Sequence, residues 1–223
     1  MTQPSPMRAV LPPIHRQGWP FIAIFLVAAL LLGWLWEPLF WLGLIATAWC
    51  AYFFRDPVRV TPDDPSLVVS PADGVVVGTH ARVPPPELEM GTAPLPCVAV
   101  FMNVFDVHVN RYPVDGTVQH VVRTPGKFLN AMVEASSDDN EQASVGIVSG
   151  PHRILVRQIA GLIARRIITD SANGDVARQG SRMGLIRFGS RVDVFLPPSS
   201  ELRVAIGQRT QAGVTVIAEL PRT

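Results

Sequence analysis

The chain has 223 residues, a formal charge of +1 and a positive mean hydropathy of +0.27. The near-neutral balance excludes a basic nucleic-acid footprint, so no nucleic-acid partner is expected. Two cysteines exclude a disulfide framework, and with no C-x-x-C or His/Cys cluster no metal is expected.

Residues 1–18 are polar and contain proline, and they read as a loosely ordered tail. Residues 19–54, WPFIAIFLVAALLLGWLWEPLFWLGLIATAWCAYFF, hold one charge, Glu37, and all five tryptophans. A run this apolar reads as membrane-embedded. It is too long for a cleavable secretory signal and has no small-residue cleavage site before a polar start. Glu37-Pro38 divides it into halves of about 17 residues, at the short end for spanning. Arg8 and Arg16 precede the run, and Arg55 and Arg59 follow it. By the positive-inside rule both ends prefer the cytoplasm. The expected element is therefore a helical hairpin turning at Glu37-Pro38, either spanning or re-entrant. One long kinked helix is the alternative, and a buried soluble helix pair fits less well with the tryptophans at the ends and the turn.

Residues 55–66, RDPVRVTPDDPS, read as a Pro/Asp-rich linker. From Leu67 the chain becomes short β-like runs punctuated by Gly and Pro. LVVSPADGVVVGTHARV reads as strand, turn, strand around Pro71-Ala72-Asp73-Gly74. PCVAVFMNVFDVHVNRYPVDGTVQHVV offers two more strands, with a turn at Pro113–Gly116. GKFLNAMVEA reads as a short helix or an irregular segment, and SSDDNEQA as a polar loop. ASVGIVSG and HRILVRQI form a hairpin pattern. AGLIARRIITD fits a short helix or a strand equally. SANGDVARQGSRMG is a Gly-rich loop, and LIRFGSRVDVFLP, LRVAIG and GVTVIAEL are closing strands. The expected fold is mainly β (α+β): one β-rich domain over 67–223 behind an N-terminal hydrophobic hairpin.

Within IRFGSRVDVFLP, Gly189-Ser190 interrupts a strand pattern in which Val192, Val194 and Leu196 share one face and Arg191, Asp193 and Phe195 the other. Glycine there marks a bulge or a close backbone approach. A serine after a flexible glycine also allows a rarer reaction. Its hydroxyl can attack the glycine carbonyl, turn the amide into an ester, and eliminate to leave a dehydroalanine that hydrolyses to a pyruvoyl group and ammonia. The dipeptide alone does not choose between these readings. In FDVHVNRYP, Asp106, His108 and Asn110 alternate with Val107 and Val109, so an extended strand would put the three polar groups on one face. His108 fits either proton transfer near neutral pH or a structural hydrogen bond. His80, His120 and His152 lack such context and read as structural or exposed.

The ordered blocks SPADGVV, FMNVFDVHVNRYPVDGTV, PGKFLNA, DNEQ, RQIAGLIARRI and RMGLIRFGSRVDVFLP resemble the phosphatidylserine decarboxylases, from about Asp56 to Leu220. These are pyruvoyl-dependent membrane enzymes made as self-cleaving proenzymes, and the apolar N-terminal segment resembles their short branch. The resemblance implies cleavage between Gly189 and Ser190. A large chain, 1–189, and a small chain, 190–223, would then stay associated. Ser190 would become the covalent pyruvoyl cofactor and form a Schiff base with the substrate amine, as pyridoxal phosphate does in other enzymes. It implies proton work for His108. Longer members carry a second histidine three positions on, implicated in activating the serine; here that position is Arg111, which cannot act as a base. The resemblance therefore leaves open which group activates Ser190, with His108 a candidate for both steps. Asp73 matches the family's acidic turn and would orient a histidine, although Asp before Gly is also ordinary turn chemistry. Candidates for the lipid phosphate are Arg111, Lys127, Arg165 and Arg166; the paired arginines equally suit a salt bridge or anionic lipid heads.

The implied activity is decarboxylation of phosphatidylserine to phosphatidylethanolamine and CO2 in phospholipid biosynthesis, at the cytoplasmic face of the cell membrane. A homo-oligomer is compatible with the sequence. A related serine-headgroup lipid as substrate and a non-catalytic membrane-tethered β-domain are the alternatives.

Overall fold

The computed structural model of the chain describes residues 12–86, 90–129, 139–161, 166–187 and 189–221. Two compact units emerge, residues 1–58 and 59–223.

In the first unit a short 3-10 turn, Arg16–Gly18, leads into α1, Trp19–Leu35, and a single extended residue, Trp36, separates it from α2, Glu37–Phe53. Proline in the first turn of each helix costs no internal hydrogen bond and presets the backbone. Glu37 in the first turn of α2 complements the helix dipole. The helices run antiparallel, because a side chain added at Gly33 would meet Phe40 and one at Gly43 would meet Ala29. Glycine, with no side chain, lets the two backbones approach closely at both crossings. Outward-facing residues are apolar, with Trp34, Leu35 and Ile45 all exposed. The helix Arg16–Leu35 is 20 residues long with mean hydropathy 2.2, long and apolar enough to cross a bilayer. The turn at Glu37-Pro38 expected from the sequence is therefore a tight break at Trp36.

The second unit is β-rich. Its strands are β1 Leu67–Val69, β2 Gly74–Gly78, β3 Cys97–Met102, β4 Val109–Arg111, β5 Gly116–Thr124, β6 Gln142–Ser149, β7 His152–Ala160, β8 Ile167–Thr169, β9 Val176–Ala177, β10 Arg182–Ile186, β11 Ser190–Phe195, β12 Glu201–Leu202, β13 Arg209–Thr210 and β14 Val216–Glu219. Eight form one sheet in the order β13-β2-β3-β11-β7-β6-β5-β9; β4-β10-β8 and β1-β14-β12 form two three-stranded sheets. All registered pairs are antiparallel, including the expected β6–β7 hairpin, Gln142↔Ile159 through Ser149↔His152. Val100, Met102, Val145, Val156, Val192 and Val194 belong to the principal core. Residues read as linker are held on this unit: Arg59 pairs with Asp73 at 2.6 Å, and a side chain in place of Gly180 would strike Thr61.

Three local readings need correction. LIRFGSRVDVFLP is two strands: the chain leaves β10 at Ile186, turns through Gly189, and enters the large sheet at Ser190. Gly189 has φ +63°, and no atom lies where a side chain would go, so the backbone conformation is what favours glycine there. FDVHVNRYP is extended only from Val109, and Asp106 to Arg111 are all buried, so polar and apolar positions do not separate into wet and dry faces. In LRVAIG only Leu202 is in a strand. In AGLIARRIITD the final residues form β8, while 162–165 lie outside the described residues, as does most of GKFLNAMVEA.

Candidate active site

Ser190 begins β11, the strand flanked by β3 and β7, directly opposite Met102 on one side and Ala160 on the other. It is fully buried, and its hydroxyl oxygen has no hydrogen-bond partner. Nearly all buried hydroxyls are paired, and leaving one unpaired costs about 1–3 kcal/mol. An unpartnered nucleophilic oxygen next to a left-handed glycine is therefore the most informative feature of the molecule.

His108 comes to the same place. Its Nε2 accepts a hydrogen bond from the Gly189 N–H at 3.3 Å, and its Nδ1 lies 3.0 Å from the carbonyl oxygen of Asp106. A carbonyl only accepts, so Nδ1 carries the proton and Nε2 keeps its lone pair toward Gly189. The ring is fully buried, and the His108 carbonyl accepts from Ile186 N–H at 3.3 Å, which ties it to the end of β10. The carboxylate of Asp106 does not serve the histidine. One of its oxygens takes the Asn103 N–H at 2.9 Å and the other pairs with Arg209.

Asp73 lies in the turn before β2, with one oxygen bound by Arg59 at 2.6 Å and the other by the Ala212 N–H at 2.8 Å. Burial pushes its carboxyl up from the usual range; Arg59 and the Ala212 N–H oppose this, and the charge of Asp106 adds to it. Both oxygens are thus engaged by groups other than a histidine, while His108 has its Nδ1 on a backbone carbonyl.

The phosphate candidates are separated. The Arg111 backbone N–H donates to Pro71 O, and its guanidinium donates to Gly180 O at 2.8 Å inside the domain. Lys127 is exposed and pairs with Asp139 at 3.0 Å. Its segment is nevertheless pinned near Ser190. Asn140 exchanges hydrogen bonds with the backbone of Leu129 and donates to the carbonyl of Ala160, the cross-strand partner of Ser190. Arg166 is exposed just before β8. Arg165 lies outside the described residues.

Sequence reasoning missed two side-chain networks. Asn110 accepts from Gln158 Nε2 at 2.7 Å, and Gln158 Oε1 accepts from Thr169 at 2.9 Å. The Asn110 amide also touches Met102 Sδ at 3.6 Å. Met102 is on β3 and Gln158 on β7, so Asn110 bridges across β11 beside Ser190. The available signal was Gln158, a polar residue inside the apolar run ILVRQIA. The second network is on the opposite face of β11. There Asp193, fully buried, receives Arg191 at 2.6 Å, Arg82 at 2.7 Å and Arg157 at 3.1 Å. Cys97 lies against this cluster, where burial, aided by the Asp193 charge and opposed by the three arginines, drives its thiol far up. A cavity of about 560 Å³ lined by Met90, Leu95, His152, Pro197 and Pro198 sits past the far end of β11, away from Ser190.

A phosphatidylserine decarboxylase family model matches residues 46–218. The chain belongs to the phosphatidylserine decarboxylase family. That family is one of carboxy-lyases acting on a membrane lipid, and it depends in general on a pyruvoyl group. The site is compatible with such a group: the sole unpartnered buried hydroxyl among the described residues is the serine after Gly189. The matched range contains Asp73, His108, Lys127, Gly189 and Ser190.

Proposed function

We propose that this chain is a self-processing phosphatidylserine decarboxylase that cleaves itself between Gly189 and Ser190 and then converts phosphatidylserine to phosphatidylethanolamine and CO2. The unpartnered, buried Ser190 hydroxyl beside a left-handed glycine carries the reading. The Ser190 oxygen attacks the Gly189 carbonyl carbon, and the peptide nitrogen departs as an amine, leaving an ester. Loss of the Ser190 Cα proton then expels the Gly189 carboxylate. Tautomerisation and hydrolysis of the resulting dehydroalanine release ammonia and leave the keto cap on a chain of residues 190–223.

His108 is the base for the first step, since its Nε2 lone pair is held at Gly189 and its other nitrogen is fixed by Asp106 O. Arg111, permanently charged and turned toward Gly180, supplies no base. Asp73 acts at a distance, holding the turn to which β4 is bonded through Pro71. When bound to the chain, the pyruvoyl carbonyl supplies an electron sink for the substrate's amine-bearing carbon. The residues around it exclude water: Met102 and Ala160 flank it, and His108 is placed to hold or return a proton.

The apolar hairpin anchors the chain in the membrane, with both flanks cytoplasmic by their arginines. A substrate whose acyl chains stay in the bilayer is then met at that surface. A denaturing gel tests the proposal. Wild type gives a large band and a small C-terminal fragment, and Ser190→Ala gives one uncut chain without activity. An intact, fully active wild-type chain contradicts it.

A further inference from the structure

Arg166 and Arg187 close the same strand pair. β8 and β10 are registered through Ile167↔Ile186, and one step further the Arg187 N–H donates to the Arg166 carbonyl at 3.3 Å. Two arginines therefore stand in cross-strand positions, where like charges repel. Arg187 is half-buried and Arg166 exposed. Burial, and secondly the charge of Arg166, lower the pKa of the Arg187 guanidinium. This pair ends the strand that delivers the chain to Gly189-Ser190, and Ile186, the residue before Arg187, is bonded to the His108 carbonyl.

We infer that Arg166 and Arg187 form the subsite for the phosphodiester of the substrate, with Arg187 the residue that reads it. The inference rests on the decarboxylase reading above and extends it to a residue outside its catalytic steps. An anion between the two guanidiniums turns their repulsion into two charge-assisted contacts, and the planar fork suits a phosphodiester. The spacing fits. Ser190 follows Arg187 by three residues, so at about 3.3 Å per residue their Cα atoms are no more than about 10 Å apart. In a serine phosphodiester only four bonds separate amine nitrogen from phosphorus. A headgroup with its amine at residue 190 therefore brings its phosphate within reach of an arginine side chain. The carboxylate is a poor occupant, because an arginine on it would stabilise the charge that the reaction must discharge. Met102 and Ala160, the cross-strand neighbours of Ser190, present the carboxylate with apolar surface.

The test compares wild type with Arg187→Gln, Arg187→Lys and Arg166→Gln as full-length, detergent-solubilised chains. Decarboxylation is followed with phosphatidylserine in mixed micelles and with soluble sn-glycero-3-phosphoserine. Calorimetry gives the affinity for sn-glycero-3-phosphoglycerol, an amine-free phosphodiester. Sedimentation with phosphatidylglycerol vesicles reports attraction to an anionic surface. Losing one charged contact should raise KM for both substrates, and Kd for the amine-free probe, by about 10- to 100-fold in Arg187→Gln. Arg187→Lys should fall between, kcat should stay within about threefold, and vesicle binding should not change. Should Arg187→Gln fail to accumulate, Arg166→Gln, altered at an exposed position, carries the same test with the same direction. Unchanged KM and Kd overturn the subsite. Vesicle binding and micellar KM weakening together, with the soluble substrate unaffected, also overturns it, because the arginines would then read membrane charge. An uncut, inactive wild type instead sinks the decarboxylase reading on which the pair depends.

Discussion

The two faces of β11 are equally dry and chemically opposite. On one, Ser190 precedes Val192 and Val194 in the principal core, and its hydroxyl has no partner. On the other, Asp193 is surrounded by Arg82, Arg157 and Arg191. One face leaves a polar atom unsatisfied where the proposed self-cleavage would begin; the other engages its only carboxylate with three cations. An unpaired buried oxygen is tolerable when the surrounding strand is held in place. The ion cluster built on Arg191 and Asp193, one and three residues further along β11, braces the strand between β3 and β7.

Removing His108 should produce the largest effect on the serine face. His108→Ala is expected to slow self-cleavage by about 10²- to 10⁴-fold, the usual range for a general base, read as the half-time of conversion on a denaturing gel. Cleavage at the wild-type rate would reassign the base. On the ionic face Asp193→Ala strands three buried or nearly buried arginines, and thermal or urea unfolding should show a loss of about 3–5 kcal/mol. Little change would mean that the cluster does not hold the strand. Asn110→Leu leaves the Gln158 amide unsatisfied and should cost about 1–3 kcal/mol by the same measurement. Because Asn110 bridges over the serine face, slower processing should accompany that loss; a stability loss alone would make Asn110 purely structural. Lys127→Ala breaks an exposed pair with Asp139 and should change stability by less than about 1 kcal/mol.

The same contrast explains what could be read from the residues. The hairpin of α1 and α2 was legible because its exposed surface is apolar, which composition and the Glu37-Pro38 break reveal directly. The β6–β7 pairing was legible from two apolar runs around Gly150-Pro151. His108 and Gly189-Ser190 stood out, and the fold brings them within a hydrogen bond of each other. The break at Gly189 was hidden, because LIRF and SRVDVF each carry a strand pattern and only tertiary pairing assigns them to different sheets. Alternation also misled at Asp106, His108 and Asn110. A polar residue can be buried when distant segments satisfy it, and the partners here, Arg209 for Asp106 and Gln158 for Asn110, are far away in the sequence. Arg187 escaped notice for the same reason: the role proposed for it depends on Arg166, brought opposite by β8 and β10.

The intact mass of the small fragment from purified protein is the most direct test of the central claim. The account predicts a chain of residues 190–223 whose first residue carries a ketone in place of the serine amine and hydroxyl and resists stepwise N-terminal degradation. A fragment that begins with an unmodified serine, or an active chain left whole across residues 189 and 190, would contradict it.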